Sequence, residues 1–310
     1  MFPTLSDLTK YLFNVAFPLP VQTFGLFVSL AFVGSYFVFK AEFKRKEKQG
    51  YIKPIIRNGE LVHPYQLVDE LILWCAFFGF IGAKLFSFVE DYDRFIRHPW
   101  EQLTSVSGLT FYGGLVFGAA IYLFIGKRYG MKLIHLADIG SPGMLVAYGI
   151  GRIGCQLSGD GDWGLVNSVS KPTALSWLPD WMWAYDFPHN AANKGNMIKD
   201  CLGEHCMVLP YPVYPTSFYE VVIITLLFLV LFLYRKKMKP GIMFSLYLIL
   251  GGLERFLIEF IRINPKMHVF GIALSEAQIV SAIMIMLGLV IFITVLFGRA
   301  KNKNIQHHTN

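Results

Sequence analysis

Arg152 stands in the stretch Tyr148-Gly-Ile-Gly-Arg-Ile-Gly-Cys-Gln-Leu-Ser-Gly-Asp-Gly-Asp-Trp-Gly164, with glycines at 149, 151 and 154 around it. Those glycines let backbone or ligand come close to the guanidinium, and the run Ser158-Gly159-Asp160-Gly161-Asp162 has to leave any helix. A second charged group, Arg255, Glu259 and Arg262, is spaced i, i+4, i+7 and shares one helix face. For that face alone, a structural ion pair through Glu259 and an anion site both remain open. A third element, Thr110-Phe-Tyr-Gly-Gly-Leu115, sets Tyr112 beside Gly113 and Gly114; taken alone it also describes an interfacial tyrosine followed by helix-packing glycines. A fourth, Tyr214-Pro-Thr-Ser-Phe-Tyr-Glu220, is explained by capping, with Thr216 or Ser217 as N-cap and Glu220 at N3 or N4. Two arginines, a Tyr-Gly-Gly and a Gly-rich acidic turn together describe a pocket for an anionic headgroup. Arginine suits that task because its planar fork grips phosphate oxygens bidentately and keeps its charge.

The elements that must position these groups follow from composition. The chain has 310 residues, 54% hydrophobic and only 16% charged, with a mean hydropathy of +0.47. That balance excludes disorder and a soluble nucleic-acid binder, and four cysteines are too few for a disulfide scaffold. Seven apolar runs, 19–39, 67–89, 109–126, 133–157, 217–234, 241–261 and 274–297, approach or exceed the roughly 20 residues that cross a bilayer. The predicted fold is therefore an all-α integral membrane protein of seven transmembrane helices. The segments 40–66, 127–132, 235–240 and 298–310 hold 17 Lys and Arg, against 8 in the longer alternate segments, which puts the N-terminus outside and the C-terminus in the cytoplasm. The net charge of +7 mostly expresses this asymmetry and gives no sign of nucleic acid. Intramembrane charges cost about 2.5–3.5 kcal/mol each on insertion scales, so Arg152, Glu254, Arg255 and Glu259 need a reason to be there. A transporter reading would need a polar path through the inner half as well, where Lys84 and Asp138 are the candidates, and Lys84 can snorkel.

Residues 1–18, with Phe2, Tyr11, Phe13 and Phe17, read as an interfacial segment, and the first span is expected to act as its own insertion signal. Residues 19–297 form the membrane domain and 298–310 a basic cytoplasmic tail. Residues 158–216, rich in Trp, Tyr and Pro, form a small external cap between spans four and five. Cys201 and Cys206 fall in that cap, on the oxidising side, where a local disulfide is favoured over a metal site with His205. Cys75 lies mid-span and reads as a small buried apolar residue.

The motifs resemble those of the prolipoprotein diacylglyceryl transferase family, over about 280 residues. Gly151-Arg-Ile-Gly154 with Ser158-Gly-Asp and Trp163-Gly164 resembles the family's Gly-Arg-x-Gly-Asn-Phe-x-Asn-Gly-Glu. Tyr112-Gly-Gly-Leu115 resembles its His-Gly-Gly-Leu, and Tyr214-Pro-Thr-Ser-Phe-Tyr-Glu220 its His-Pro-Ser-Gln-Leu-Tyr-Glu. Arg255-Phe-Leu-Ile-Glu-Phe-Ile-Arg262 and Ser275-Glu-Ala-Gln278 resemble two further motifs of spans six and seven. The resemblance implies seven spans in a bacterial inner membrane and an active site toward the periplasm; the sequence itself gives no sign of a metal or cofactor. It implies transfer of the diacylglyceryl group of phosphatidylglycerol to the lipobox cysteine in the signal peptide of a preprolipoprotein, with glycerol phosphate released. Arg152, Arg255 and Tyr112 would be catalytic. Gly113, Gly114, Gly151, Gly154, Cys155, Ser158, Gly159, Asp160, Asp162, Tyr219, Glu220, Glu259, Arg262 and Phe24 would bind substrate. The chain departs from the pattern at Tyr112 for a histidine, Cys155 for an asparagine, Phe24 for a tyrosine, and in a turn one residue longer, where Asp160 and Asp162 compete for a glutamate's role. These departures also suit a homologue with another outer-leaflet lipid or acceptor, or a non-catalytic lipid-binding paralogue.

Overall fold

The computed structural model describes residues 1–15, 21–104, 110–269 and 271–307, without the side chains of 94, 269 and 298–307. Phe17, and the starts of the first and third expected spans at 19 and 109, lie outside the described residues. The chain is mostly helical: α1 (Leu5–Phe13), α2 (Thr23–Lys48), α3 (Val68–Glu90), α4 (Tyr92–Arg97), α5 (Pro99–Thr104), α6 (Phe111–Arg128), α7 (Leu133–Ser158), α8 (Thr216–Tyr234), α9 (Ile242–Ile258) and α10 (Glu276–His307). Among the described residues, five helical segments, Thr23–Lys48, Pro64–Glu90, Leu133–Ser158, Thr216–Tyr234 and Glu276–Phe297, are long and apolar enough to cross a membrane. The other two expected spans coincide with α6, of 18 residues, and α9, of 17 residues, which a 3₁₀ turn extends over Glu259–Ile261. The chain falls into two compact units, Tyr36–Gly140 on one hand and Met1–Ser35 with Ser141–Asn310 on the other.

In the unit Tyr36–Gly140, α2 continues nine residues past its expected end at 39. Hydropathy stops at Lys40, but the charges beyond it find partners: Lys40 Nζ donates to the Tyr36 hydroxyl at 2.6 Å, and Arg45 pairs with Glu42 at 2.5 Å. Lys46 reaches Asp138 at 2.8 Å, both side chains almost fully buried, so Asp138 belongs to a structural pair. Lys84 is buried and donates to the Gln102 carbonyl at 3.0 Å. Helices α3 and α6 approach backbone to backbone: a Cβ on Gly82 would lie 2.6 Å from Phe117, and one on Gly114 would lie 3.4 Å from the Gly79 carbonyl. Paired small residues permit that closeness. A short hairpin, β1 (Ile55–Arg57) with β2 (Glu60–Val62), links α2 to α3.

In the other unit, Leu145 and Tyr148 of α7 pack against Ile224 and Leu231 of α8 and Met243, Tyr247 and Leu250 of α9. Helix α10 closes on α9 through Gly252 and Gly288, where a Cβ would meet the carbonyls of Ser281 at 3.0 Å and Ser245 at 2.9 Å. A hairpin, β5 (Lys266–Val269) with β6 (Ile272–Ser275), joins them. The segment between α7 and α8 is folded on Trp163, Phe187 and Val213, with Met1, Tyr185 and Leu209 around them. Asn190, fully buried, donates through Nδ2 to the carbonyls of Phe187, Lys194 and Met207. Within it, β3 (Asn196–Met197) pairs with β4 (Met207–Val208), and the expected Cys201–Cys206 disulfide is formed.

Candidate functional site

Helix α7 presents Tyr148, Arg152 and Cys155 at i, i+4, i+7, so all three share a face. The chain then turns through Gly159 and Gly161, both in the left-handed region, with φ +65° and +106°. This brings Asp162 back over the end of α7, with its backbone N–H donating to Asp160 Oδ1 at 3.2 Å. The Asp162 carbonyl is fixed by the hydroxyls of Thr216, at 3.0 Å, and Ser217, at 2.9 Å. The sequence expects one of these two residues to cap α8, but that helix has Pro215 at its N-cap position and no side-chain cap; the hydroxyls hold the acidic turn instead. Gly164 forms an antiparallel bridge with Arg262, and a Cβ there would lie 2.5 Å from the Ile261 carbonyl. Glycine is therefore what lets the turn dock beside Arg262.

The charges converge on Glu220 of α8, whose side chain is fully buried. Its Oε1 accepts from the Tyr148 hydroxyl at 2.9 Å and from Arg255 Nη1 at 2.8 Å. Its Oε2 faces Arg152 Nε at 3.1 Å and Arg262 Nη1 at 3.3 Å. Asp162 forms a second bridge, to Arg152 and to Arg262 Nη2 at 2.5 Å. Glu259 faces Arg255 Nη2 at 3.2 Å and accepts from Asn264 Nδ2 at 2.5 Å. Three guanidiniums thus meet three carboxylates, a match that a buried network requires to offset desolvation. Burial alone would raise the Asp162 carboxyl, but Arg152 and Arg262 outweigh it and hold it down at about 2. Burial, with Asp162 beside it, pushes Asp160 up. Asp162, rather than Asp160, is the carboxylate that pairs with the arginines.

Exposure separates the three cations. The Arg152 and Arg255 side chains are 14% and 22% exposed, whereas Arg262 is 4% exposed. Arg152 directs Nε to Glu220 and Nη1 to Asp162, and its ring-facing side lies over Tyr148 with the guanidinium carbon 5.1 Å from the ring centroid. Each guanidinium carries five N–H donors, more than these carboxylates use, so the open pair retains capacity for a further oxyanion.

Of the expected site residues, Arg152, Arg255, Arg262, Asp162, Glu220 and Glu259 come together, and Asp160 braces their turn. Several others are held by packing or by local hydrogen bonds. Gly113 packs on Phe86 and Gly114 faces the Gly79 backbone. Gly154 lets α7 close on α2, where a Cβ would lie 2.7 Å from Phe27 and 3.6 Å from the Phe24 backbone. The buried Ser158 hydroxyl bonds back to the Cys155 carbonyl at 3.4 Å, and Gly159 shapes the turn. The Tyr219 hydroxyl donates to the Trp183 carbonyl at 3.1 Å, toward the cap. Cys155 is buried with Arg152 Nη1 3.9 Å from its sulfur, and a Cβ on Gly151 would meet nothing within 4 Å. Tyr112 belongs to the unit Tyr36–Gly140, in the first turn of α6, its ring edge-on to Phe111 with centroids 5.7 Å apart. The motif reading passed over Tyr148, although its place one turn before Arg152 was a signal.

The family model described as prolipoprotein diacylglyceryl transferase matches residues 10–294. The chain is 29% identical over 291 residues to a Staphylococcus saprophyticus protein named phosphatidylglycerol–prolipoprotein diacylglyceryl transferase, covering 94% of this chain and 90% of that one. It is 27% identical to the protein of that name from Clostridium tetani, covering 89% and 94% of the two chains. With the one from Dehalococcoides mccartyi the identity is 30%, over 74% and 76%.

Proposed function

Because the chain belongs to the prolipoprotein diacylglyceryl transferase family, we propose that it transfers the diacylglyceryl group of phosphatidylglycerol to the lipobox cysteine of a prolipoprotein. The cysteine sulfur bonds to the glyceryl carbon that bears the phosphate ester, the carbon–oxygen bond breaks, and glycerol phosphate leaves. The thiol proton balances the charge of the departing phosphate. Two demands follow: the thiol, with an ordinary pKa near 8.5, must attack as thiolate, and the leaving phosphate must be stabilised.

Arg152 and Arg255 are the groups for the second demand. Both are partly open, both are tied to Glu220, and their forks fit two phosphate oxygens each. Arg262 and Asp162 keep that pair oriented, so that little reorganisation is left for the reaction itself. Convergence of the three arginines on Glu220 is the observation that carries this reading. Tyr112 stands at the position of the family's histidine, where a phenol with a pKa near 10 is a poor base at neutral pH but can donate a hydrogen bond. Seven spans, an external N-terminus and a periplasm-facing site in the bacterial cytoplasmic membrane complete the reading, supported by the Lys and Arg asymmetry. The cap over residues 158–216 then faces the signal peptide. The test is purified protein with phosphatidylglycerol vesicles and a lipobox peptide. Glycerol phosphate release in step with thioether formation is expected, and neither product would refute the assignment.

A further inference from the structure

Glu254 is 5% exposed, and neither of its carboxyl oxygens has a hydrogen-bond partner among the described residues. It lies one turn beyond Leu250 on the stripe of Met243, Tyr247 and Leu250 with which α9 packs on Leu145, Tyr148 and Ile224. The side chain therefore faces α7 and α8, next to the arginine cluster. The groups acting on it electrostatically are Glu220, Arg255, Arg152 and Arg262, with Tyr148 beside them. The three guanidiniums already pair with Glu220, Asp162 and Glu259, so Glu254 is a fourth carboxyl outside that match. Two buried acceptors with no donor are costly, and a native site that keeps them calls for a specific reason.

Given the phosphatidylglycerol reading above, on which this inference rests, we propose that Glu254 accepts hydrogen bonds from the hydroxyls of the lipid's glycerol headgroup and thereby selects that lipid. Those hydroxyls sit only a few bonds from the phosphate assigned to Arg152 and Arg255, and Glu254 is the sequence neighbour of Arg255. A carboxylate facing sugar hydroxyls beside a bound phosphate is the same chemistry by which an acidic residue reads a ribose. A headgroup without hydroxyls would leave both oxygens unpaired in a buried site, and such sites discriminate strongly against the analogue that lacks the donor.

The experiment compares phosphatidylglycerol with phosphatidylpropanol of the same acyl chains, with transfer to a lipobox peptide read by mass spectrometry. The wild-type protein is expected to favour phosphatidylglycerol by at least about tenfold in kcat/KM. Glu254→Leu, which continues the apolar stripe, should bring the two lipids to within about threefold by losing phosphatidylglycerol turnover selectively. Glu254→Gln keeps the shape with one acceptor and should also shrink the preference, so the test survives if the leucine variant fails to fold. A preference unchanged in these variants, an equal loss on both lipids, or no preference in the wild type would overturn the proposal. If the wild type transfers from neither lipid, the function reading fails first, and that outcome is visible without any variant.

Discussion

Glu220 is the residue on which the candidate site turns. It accepts from Tyr148, Arg255 and Arg262 and faces Arg152 while fully buried, so removing its charge takes from each of three cations one of its acidic partners. Glu220→Gln is expected to destabilise the protein by about 3–5 kcal/mol, the range for breaking a buried ion pair from one side; thermal melting in detergent checks it, and an unchanged Tm would remove Glu220 from that role. Asp162 makes a pH statement. Its carboxyl is lowered from an ordinary 3.8 to about 2, so its stabilising contribution is fully present above the ordinary value and is lost as pH falls toward the folded one. The melting difference between wild type and Asp162→Asn should stay flat from pH 8 to 5 and shrink only below about 4. Part of this was legible in the chain: Arg152, Glu220, Arg255 and Glu259 lie in apolar runs and demand partners, and they meet one another with Asp162 and Arg262 joining from outside those runs. The glycines are ambiguous in sequence, because Gly113 and Gly154 open space for a helix as readily as for a ligand. The residues around Glu220 alone describe a cap, and only the family resemblance makes it a site residue, since Thr216 and Ser217 match a capping pattern whose hydroxyls the fold gives to the Asp162 carbonyl.

At the scale of the element, hydropathy located every long helix, because a segment in lipid must satisfy its own backbone. It missed the end of α2, since local charge pairs such as Arg45 with Glu42 carry a helix beyond its apolar run. It also gave no view of the α3–α6 contact, which depends on shape. There, a Cβ on Gly82 would fall 2.6 Å from Phe117, so Gly82→Val should cost at least about 1–3 kcal/mol through overpacking. Melting of Gly82→Val beside Gly25→Val, where a Cβ would meet nothing within 4 Å, checks this; equal melting temperatures would contradict the close approach.

For the whole molecule, the account requires Lys- and Arg-rich connections on the cytoplasmic side and the disulfide-bearing cap outside. Ser168 and Lys239 are both exposed, the first in the cap and the second between α8 and α9. A membrane-impermeant maleimide should label Ser168→Cys in intact cells and Lys239→Cys only after permeabilisation; the reverse pattern would invert the topology. Orientation of this kind is written in charge asymmetry along the chain, whereas the cap's fold is not. Its order depends on contacts distant in sequence, such as Trp163 with Phe187 and the three carbonyls gathered by Asn190. Arg152 and Arg255 are proposed to grip the lipid phosphate as forks, and replacement of Arg255 by lysine separates the fork from its charge. With phosphatidylglycerol and a lipobox peptide, Arg255→Lys keeps the charge and should still lower kcat/KM by about 10²-fold, the scale of losing one transition-state donor; full activity in that variant would contradict the account.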